Sequence, residues 1–171
     1  MGDRWTSQAV PAPGPADHAA GEGLPLVLYT DLACPACAVT WAQLRDLAGL
    51  QLVFRHFPMA SKRPRSPALH AAAEAAGRQG ALWEMADSIY ADQGHRDDPH
   101  LWARAEALDL DVDRFEADRR SAAVAERIDR DFMTGVRAGI TGTPSAFIAG
   151  ELADGDPVDA ARRAVARGSD R

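Results

Sequence analysis

Apolar residues follow two different spacings along the chain, and the change of spacing divides it into parts. Residues 24–30 (LPLVLYT) and 50–57 (LQLVFRHF) are short apolar runs rich in β-favouring side chains, which predict two buried strands. Between them, residues 34–48 predict a helix with Pro35 in its first turn and Gly49 at its end. Its predicted apolar face consists of Val39, Leu44 and Leu47. A strand, a helix and a strand in this order form a βαβ unit with parallel strands and a right-handed crossover.

Residues 66–138 have helical spacing and no strand-like run. They predict five helices, the first starting at Ser66 and the third with Asp98 as its cap and Pro99 in its first position. In the fifth and longest helix, apolar residues recur at every fourth position: Val124, Ile128, Phe132 and Val136. This part of the chain therefore reads as a helical insertion.

Strand character returns at residues 144–152, where Gly150 falls in a predicted hairpin turn. A final helix is predicted from its caps, with Asp156 before it, Pro157 in its first position and Gly168 after it. The order of elements is strand, helix, strand, helical block, hairpin, helix. This order predicts an α/β fold.

The first 23 residues are rich in proline, alanine and glycine, which predicts a flexible tail. They lack the apolar stretch of 7 to 15 residues that is typical of a secretory signal, so the sequence as printed predicts a cytoplasmic protein, and a longer N-terminus would reverse this. Residues 1–6 (MGDRWT) match the N-myristoylation pattern, which is short and often matches by chance.

Composition narrows the classes of partner. With 171 residues and 46% hydrophobic side chains, the chain is long enough for one domain with a core of its own. A net charge of −6 argues against a nucleic acid or an anionic membrane as partner, because both require concentrated positive charge. Apolar runs are too short to predict a transmembrane segment.

The two cysteines of the chain, Cys34 and Cys37, are separated by only proline and alanine. Two cysteines placed at random have this spacing in about 1 chain in 100, which indicates that the pair has a specific purpose in the protein. Three purposes are open: half of a metal site, a structural crosslink or a redox pair. A zinc site would need two further ligands, for instance in a bridged dimer.

Position favours the redox pair. Cys34 is predicted at the N-cap of the helix and Cys37 one turn further on, where the β-carbons lie about 5–6 Å apart, close to what a disulfide tolerates. The unpaired N–H groups of the first turn and the helix dipole favour the thiolate of Cys34. We therefore expect an exposed, nucleophilic Cys34 and an inward-facing Cys37 that resolves the mixed disulfide.

Three sequence stretches together resemble the DsbA-like thiol oxidoreductases of the thioredoxin superfamily. They are YTDLACPAC, FRHFP and, after the helical block, GITGTPSAFIAG. The resemblance covers residues 24–168, and its specific parts are the CPAC motif and the Thr143-Pro144 dipeptide.

The resemblance implies a thioredoxin fold with a helical insertion between the second and third predicted strands. Its first half would span residues 24–64, the insertion 65–138 and its second half 139–171. The proline matching Pro144 would be cis and lie beside the disulfide, with Thr143 offering backbone groups to a substrate strand. The predicted substrate-binding residues are Pro35, Ala36, Thr143 and Pro144. The redox-active disulfide would take the place of a cofactor, and no metal is expected.

One position departs from this family. Many relatives carry a buried acid six residues before the first cysteine, where this chain has Leu28. Asp31 is the nearest acid and is a candidate for proton transfer, although a residue that satisfies turn amides at the start of the helix is the plainer interpretation. His56 is a second candidate for proton transfer, against a purely structural role. Without a donor in the Pro35-Ala36 dipeptide, we expect a reduction potential between about −270 and −120 mV.

The function predicted from these observations is disulfide exchange with client proteins or small thiols, served by an unidentified electron donor or acceptor. In a reducing cytosol the direction would be reduction. A thioredoxin-fold interaction or regulatory module, including those attached to membrane transporters, or a glutathione-dependent transferase or isomerase, stays open as the alternative. His95 and His100 flank two aspartates in a polar loop, where a solvated loop is favoured over a metal site.

Overall fold

Five strands and seven helices form in the part of the chain that the structure, a computed structural model, describes: residues 8–169. In chain order they are β1 (His18–Ala20), β2 (Leu24–Thr30), α1 (Pro35–Arg45), β3 (Leu50–His56), α2 (Ser66–Gly77), α3 (Leu82–Ala91), α4 (Asp98–Ala107), α5 (Val112–Arg119), α6 (Ala122–Arg137), β4 (Ser145–Ile148), β5 (Glu151–Leu152) and α7 (Pro157–Ser169). This order confirms the predicted α/β fold with helices inserted between β3 and β4.

The strands form one sheet in the order β1-β3-β2-β4-β5. Central strand β2 runs parallel to β3, with Leu28 opposite Phe54, and antiparallel to β4, with Leu28 opposite Ala146. The parallel pair is joined by α1, as the predicted βαβ unit requires. β2 is the central strand of the sheet. Residues 31–34 follow its C-terminal end and therefore lie midway along the end of the sheet where β2 and β3 finish.

Alternate residues of β2 face the two sides of the sheet. Leu26 and Leu28 belong to the larger core, which is completed by α1, α7 and the helical insertion. Val27 and Tyr29 belong to a second core with Phe57 and, at its margin, Phe132 of α6. Burial on both faces explains why β2 and β3 read as continuous apolar runs rather than alternating ones.

The helical block follows its predicted starts with one correction. The cap of α4 is Asp97, which accepts a hydrogen bond from the backbone N–H of His100, so the prediction of Asp98 as the cap is wrong by one residue. The sequence has an aspartate at both positions, and only the extended backbone of Asp97 distinguishes them. Across residues 8–169, no helix combines the length and hydropathy that a bilayer crossing demands.

The N-terminal stretch corrects the prediction of a flexible tail over residues 1–23. His18–Ala20 form β1, which pairs antiparallel with β3, and Val10 is buried in the second core. The strand was missed because three residues carry no periodicity, and its pairing is set by the partner strand. Residues 1–7, with the myristoylation pattern, lie outside the described residues, and the divisions at 64 and 138 stay predictions.

Gly135 of α6 marks the closest approach of a helix to the second core. A β-carbon added there would lie 2.7 Å from the Phe57 ring and 3.0 Å from the Tyr29 ring. We expect Gly135→Ala to lower the free energy of unfolding by about 1–3 kcal/mol, because the rings must shift to make room. Urea denaturation measures this.

The matched control is Gly168→Ala in α7, where an added β-carbon meets no described atom within 4 Å. There the same substitution is expected to be neutral or to stabilise by up to about 1 kcal/mol, because alanine has the higher helix propensity. Equal effects at the two positions would contradict the packing argument.

Candidate active site

Cys34 lies at the junction between β2 and α1. Its extended backbone makes it the N-cap of α1: its N–H donates to the carbonyl of Asp31 at 2.9 Å, and its own carbonyl accepts from Ala38 at 3.1 Å. Its thiol points to the carbonyl of Thr143, 3.7 Å from Sγ, and makes no capping hydrogen bond. The sulfur is therefore held between the helix start and the loop before β4.

The prediction of an exposed Cys34 is wrong, because only 2% of the residue is accessible. The loop that carries Thr143 packs over the sulfur and removes the exposure that the sequence suggested. The neighbouring Pro35 and Ala36 are exposed, as is Val39, which is 63% accessible and so does not join the apolar face predicted for it.

Cys37 is fully buried one helical turn after Cys34, and both are free thiols. Burial raises the pKa of the Cys37 thiol well above its ordinary value, although hydrogen bonds with the side chains of Thr143 and Thr30 oppose this. Thr30 Oγ1 also shares a 2.6 Å hydrogen bond with the hydroxyl of Tyr90. At neutral pH Cys37 is thus a protonated thiol next to two linked hydroxyl groups.

The loop before β4 closes the site from the other side. The Thr143–Pro144 peptide bond is cis, and the hydroxyl of Thr143 lies 3.8 Å from the sulfur of Met59. Thr143 and Pro144 are both partly exposed next to Cys34. The structure thus brings together the two cysteines and the four predicted substrate-binding residues.

Asp31 supports the start of α1 from inside the protein. Its carboxylate is fully buried and accepts hydrogen bonds from Ala33 N–H at 2.9 Å, Ser66 Oγ at 2.5 Å, and Met59 N–H and an Arg63 Nη1 donor at 3.2 Å each. Burial alone would raise the pKa of Asp31, but the hydrogen bonds from Ser66 and the Ala33 N–H oppose this, and the pKa is lowered to about 2. A carboxylate with this many donors matches the interpretation of a residue that satisfies turn amides.

His56 lies in a separate buried cluster. Its backbone N–H donates to Asp131, its Nδ1 is 2.8 Å from His70 Nδ1, and its Nε2 is 3.0 Å from Glu74 Oε2. Burial lowers the pKa of His56 to about 3, so the ring is neutral at physiological pH. These contacts favour a structural role for His56 over direct proton transfer to the cysteines.

The sequence reasoning missed several residues that support the site: Thr30, Met59, Ser66, His70, Glu74 and Tyr90. Two of them carried a usable signal, because His70 and Glu74 are four residues apart and therefore share a face of α2. His70 reaches the site directly, with its Nε2 3.1 Å from the backbone N–H of Leu32. The others come from loops and helices distant in sequence, and no spacing links them to the cysteines.

Curated relatives of this chain are Na(+)/H(+) antiporters. It is 38% identical over 152 residues to the antiporter NhaA 1 of Salinispora arenicola, covering 82% of this chain and 23% of the relative. It is 39% identical over 132 residues to NhaA of Herminiimonas arsenicoxydans, covering 74% of this chain and 21% of the relative. The chain thus spans less than a quarter of the length of either relative.

Solved structures share the fold. A thioredoxin-like oxidoreductase from Silicibacter pomeroyi superposes with a TM-score of 0.80 at 23% identity, covering 92% of this chain and 95% of that one. The thiol-disulfide exchange protein alpha-DsbA2 from Wolbachia pipientis gives a TM-score of 0.75 at 17% identity, covering 90% and 87%.

The family model of the DSBA-like thioredoxin domain matches residues 65–166, more than half of the chain. The match includes the helical insertion, the Thr143-Pro144 loop, the hairpin and most of α7. The cysteines lie before it, in the βαβ unit. The chain belongs to the family of DSBA-like thioredoxin domains.

Proposed function

We propose that this chain is a thiol-disulfide oxidoreductase in which Cys34 is the nucleophile and Cys37 the resolving thiol. The observation that carries the proposal is the placement of the Cys34 sulfur, at the N-terminus of α1 and against the loop of the cis Pro144, with Cys37 one turn behind it. Disulfide exchange proceeds through the thiolate of the attacking cysteine, and a helix N-terminus offers unpaired backbone N–H groups to an anion.

The proposed reaction has two exchanges. The Cys34 thiolate attacks one sulfur of a client disulfide and expels the other as a thiolate, giving a mixed disulfide. Cys37 then loses its proton and attacks the Cys34 sulfur, which releases the second client thiolate and leaves a Cys34–Cys37 disulfide. Two electrons pass to the client, and an external dithiol restores the starting state; the reverse sequence oxidises a client dithiol.

The second exchange requires removal of the proton from Cys37, and the groups around this sulfur determine how easily the proton leaves. Its burial raises its pKa, so the neutral thiol is the resting form. The side chains of Thr30 and Thr143 act against this rise in pKa and so favour the thiolate when it forms. This chain has Leu28 in place of an acid, and the groups that act against the effect of burial on Cys37 are these two side chains and the backbone of Asp31.

The thiol chemistry of the site indicates the class of client molecule, and the redox conditions of the compartment decide the direction of the reaction. We propose client proteins or small molecules that carry thiols or disulfides, no bound cofactor beyond the cysteine pair, and reduction as the direction if the protein works in a reducing cytoplasm. An oxidising compartment would favour the reverse reaction.

Trapping of the mixed disulfide tests this mechanism. In Cys37→Ser the intermediate on Cys34 has no internal thiol to release it, so we expect dithiothreitol-sensitive adducts on Cys34 after exposure to cell extract and alkylation. Non-reducing electrophoresis and mass spectrometry detect them. The control is the double variant Cys34→Ser/Cys37→Ser, and equal adduct formation by both variants would contradict the proposal.

A second candidate function is a regulatory module of a membrane transporter. The observation that favours it is the similarity to part of the Salinispora and Herminiimonas antiporters. The rate at which dithiothreitol reduces insulin in the presence of the protein distinguishes the two candidate functions. If the folded wild-type protein accelerates this reaction no more than its Cys34→Ser variant does, the regulatory module without exchange activity is favoured.

A further inference from the structure

Three potential metal ligands from three different elements meet at the outer edge of the sheet. His18 is in β1, His56 at the end of β3 and Glu74 on α2. Glu74 Oε2 lies 2.7 Å from His18 Nε2 and 3.0 Å from His56 Nε2, and the three ligand atoms are all within 4.8 Å of one another. This cluster is distinct from the cysteine pair, and the proposed disulfide exchange makes no use of it.

We propose that His18, His56 and Glu74 form a Zn²⁺ site with water as the fourth ligand. Two imidazole nitrogens and one carboxylate oxygen are a donor set of zinc sites that keep one position open. Imidazole donors favour zinc over magnesium or calcium, which take oxygen ligands. The His56 side chain is fully buried, whereas the His18 side chain is 22% exposed, so the ion and its water have access from the side of β1.

The spacing of the ligand atoms suits this ion after a small adjustment. Tetrahedral bonds of about 2.0–2.2 Å place neighbouring ligand atoms about 3.3–3.6 Å apart. The two distances to Glu74 are slightly shorter than this, because the metal-free cluster is held by hydrogen bonds. His18 is in a three-residue edge strand, so its ring can move outward while His56 and Glu74 keep their places.

The other nitrogen of His56, Nδ1, has a hydrogen-bond partner in His70. In the metal-free protein, the N–H of Leu32 donates to His70 Nε2 at 3.1 Å, so neutral His70 carries its proton on Nδ1. That proton is donated to His56 Nδ1 at 2.8 Å, and neutral His56 therefore carries its proton on Nε2 and donates it to Glu74. The chain of hydrogen bonds runs in one direction, from Leu32 to Glu74.

Zinc binding reverses the direction of the hydrogen bond between His56 and His70. When Nε2 of His56 binds the ion, its proton moves to Nδ1 and is donated to His70 Nδ1. His70 then carries its proton on Nε2, which lies 3.6 Å from Asp31 Oδ1, and the N–H of Leu32 loses its acceptor. Zinc bound by this cluster would therefore change the hydrogen-bonding surroundings of Asp31, the carboxylate that supports the start of α1.

Isothermal titration with zinc chloride tests the site in the full chain. Cys34→Ser/Cys37→Ser serves as the parent protein, because thiolates bind zinc strongly and would hide the site. We expect one equivalent of zinc to bind, and His18→Gln to weaken binding by about 100-fold or more. Glutamine keeps an N–H donor for Glu74 at a partly exposed position, so the fold is retained, and circular dichroism checks this.

The matched control replaces His95 and His100 by asparagine. These exposed imidazoles lie 4.6 Å apart between ring centroids, and each has an aspartate partner, Asp92 and Asp97 respectively. Binding is expected to be unchanged in this control. Loss of binding here, or equal binding by the His18→Gln variant, would overturn the assignment.

Nitrogen-15 spectra of the imidazoles give a second readout that does not depend on affinity. Without metal, His56 is expected as the Nε2–H tautomer and His70 as the Nδ1–H tautomer; with one equivalent of zinc, both exchange. A purely structural hydrogen-bonded cluster predicts spectra that zinc leaves unchanged and no heat of binding at one equivalent, and either result refutes the site. Because the parent lacks both cysteines, the outcome is independent of the proposed disulfide exchange.

Discussion

Cys34→Ser is expected to lower the rate of disulfide exchange by at least about 10³-fold, to the level of the uncatalysed reaction, because a hydroxyl group cannot form the mixed disulfide. The effect is this large since both exchanges of the proposed mechanism pass through the Cys34 sulfur. In the structure that sulfur lies at the start of α1, 3.7 Å from the carbonyl oxygen of Thr143. Turbidity from insulin reduction by dithiothreitol measures the rate.

The substitution is nearly isosteric, so the fold should be unaffected, and circular dichroism with a thermal melt verifies this. A Cys34→Ser protein that keeps more than about a tenth of the wild-type rate would contradict the assignment of the nucleophile. Activity that is kept in Cys34→Ser but lost in Cys37→Ser would show that Cys37 is the nucleophile and Cys34 the resolving thiol.

Asp31→Ala is expected to lower the free energy of unfolding by about 3–5 kcal/mol. The carboxylate is fully buried, and its removal leaves the donors of Ala33, Ser66, Met59 and Arg63 without their acceptor. Urea denaturation measures the loss. The control Asp154→Ala changes an exposed aspartate and is expected to stay within about 0.5 kcal/mol of the wild type.

The same carboxylate gives the stability a defined dependence on pH. Its pKa is lowered from 3.8 to about 2 in the folded protein. A lowered pKa of an acid means a contribution of about 2 kcal/mol that is complete above about pH 5 and is lost as the pH falls toward 2. Asp31→Asn has no such titration, so its unfolding free energy should fall less steeply over this range; parallel curves for the two proteins would contradict the argument.

Local sequence signals predicted those parts of the fold that local interactions determine. The bounds of β2 are those predicted from the run LPLVLYT, and Gly150 lies in the hairpin turn with a φ of 82°, a conformation that favours glycine. Cys34 and Pro144 were found because their motifs are short and contiguous. Asp156 caps α7 through hydrogen bonds from Val158 and Asp159, as its position before Pro157 predicted.

Interactions between distant parts of the chain account for what was missed. The burial of Cys34 depends on Thr143, 109 residues later, and the cluster around His56 joins residues from β1, β3 and α2. Neither has a periodicity that a single sequence displays. His56 was noticed for its place at a strand end, but its neutral state and its partners follow only from the packing of α2 against the sheet.

Strand β1 has a consequence for the solution behaviour of the protein. It covers Leu52, Val53 and Phe54 of β3 along the outer rim of the sheet, so that their backbone groups face a partner within the same molecule. A truncated chain beginning at Leu24 would present this apolar rim uncovered, and bare strand rims recruit further strands from other copies. We therefore expect a chain truncated before Leu24 to self-associate more readily than the chain that carries β1.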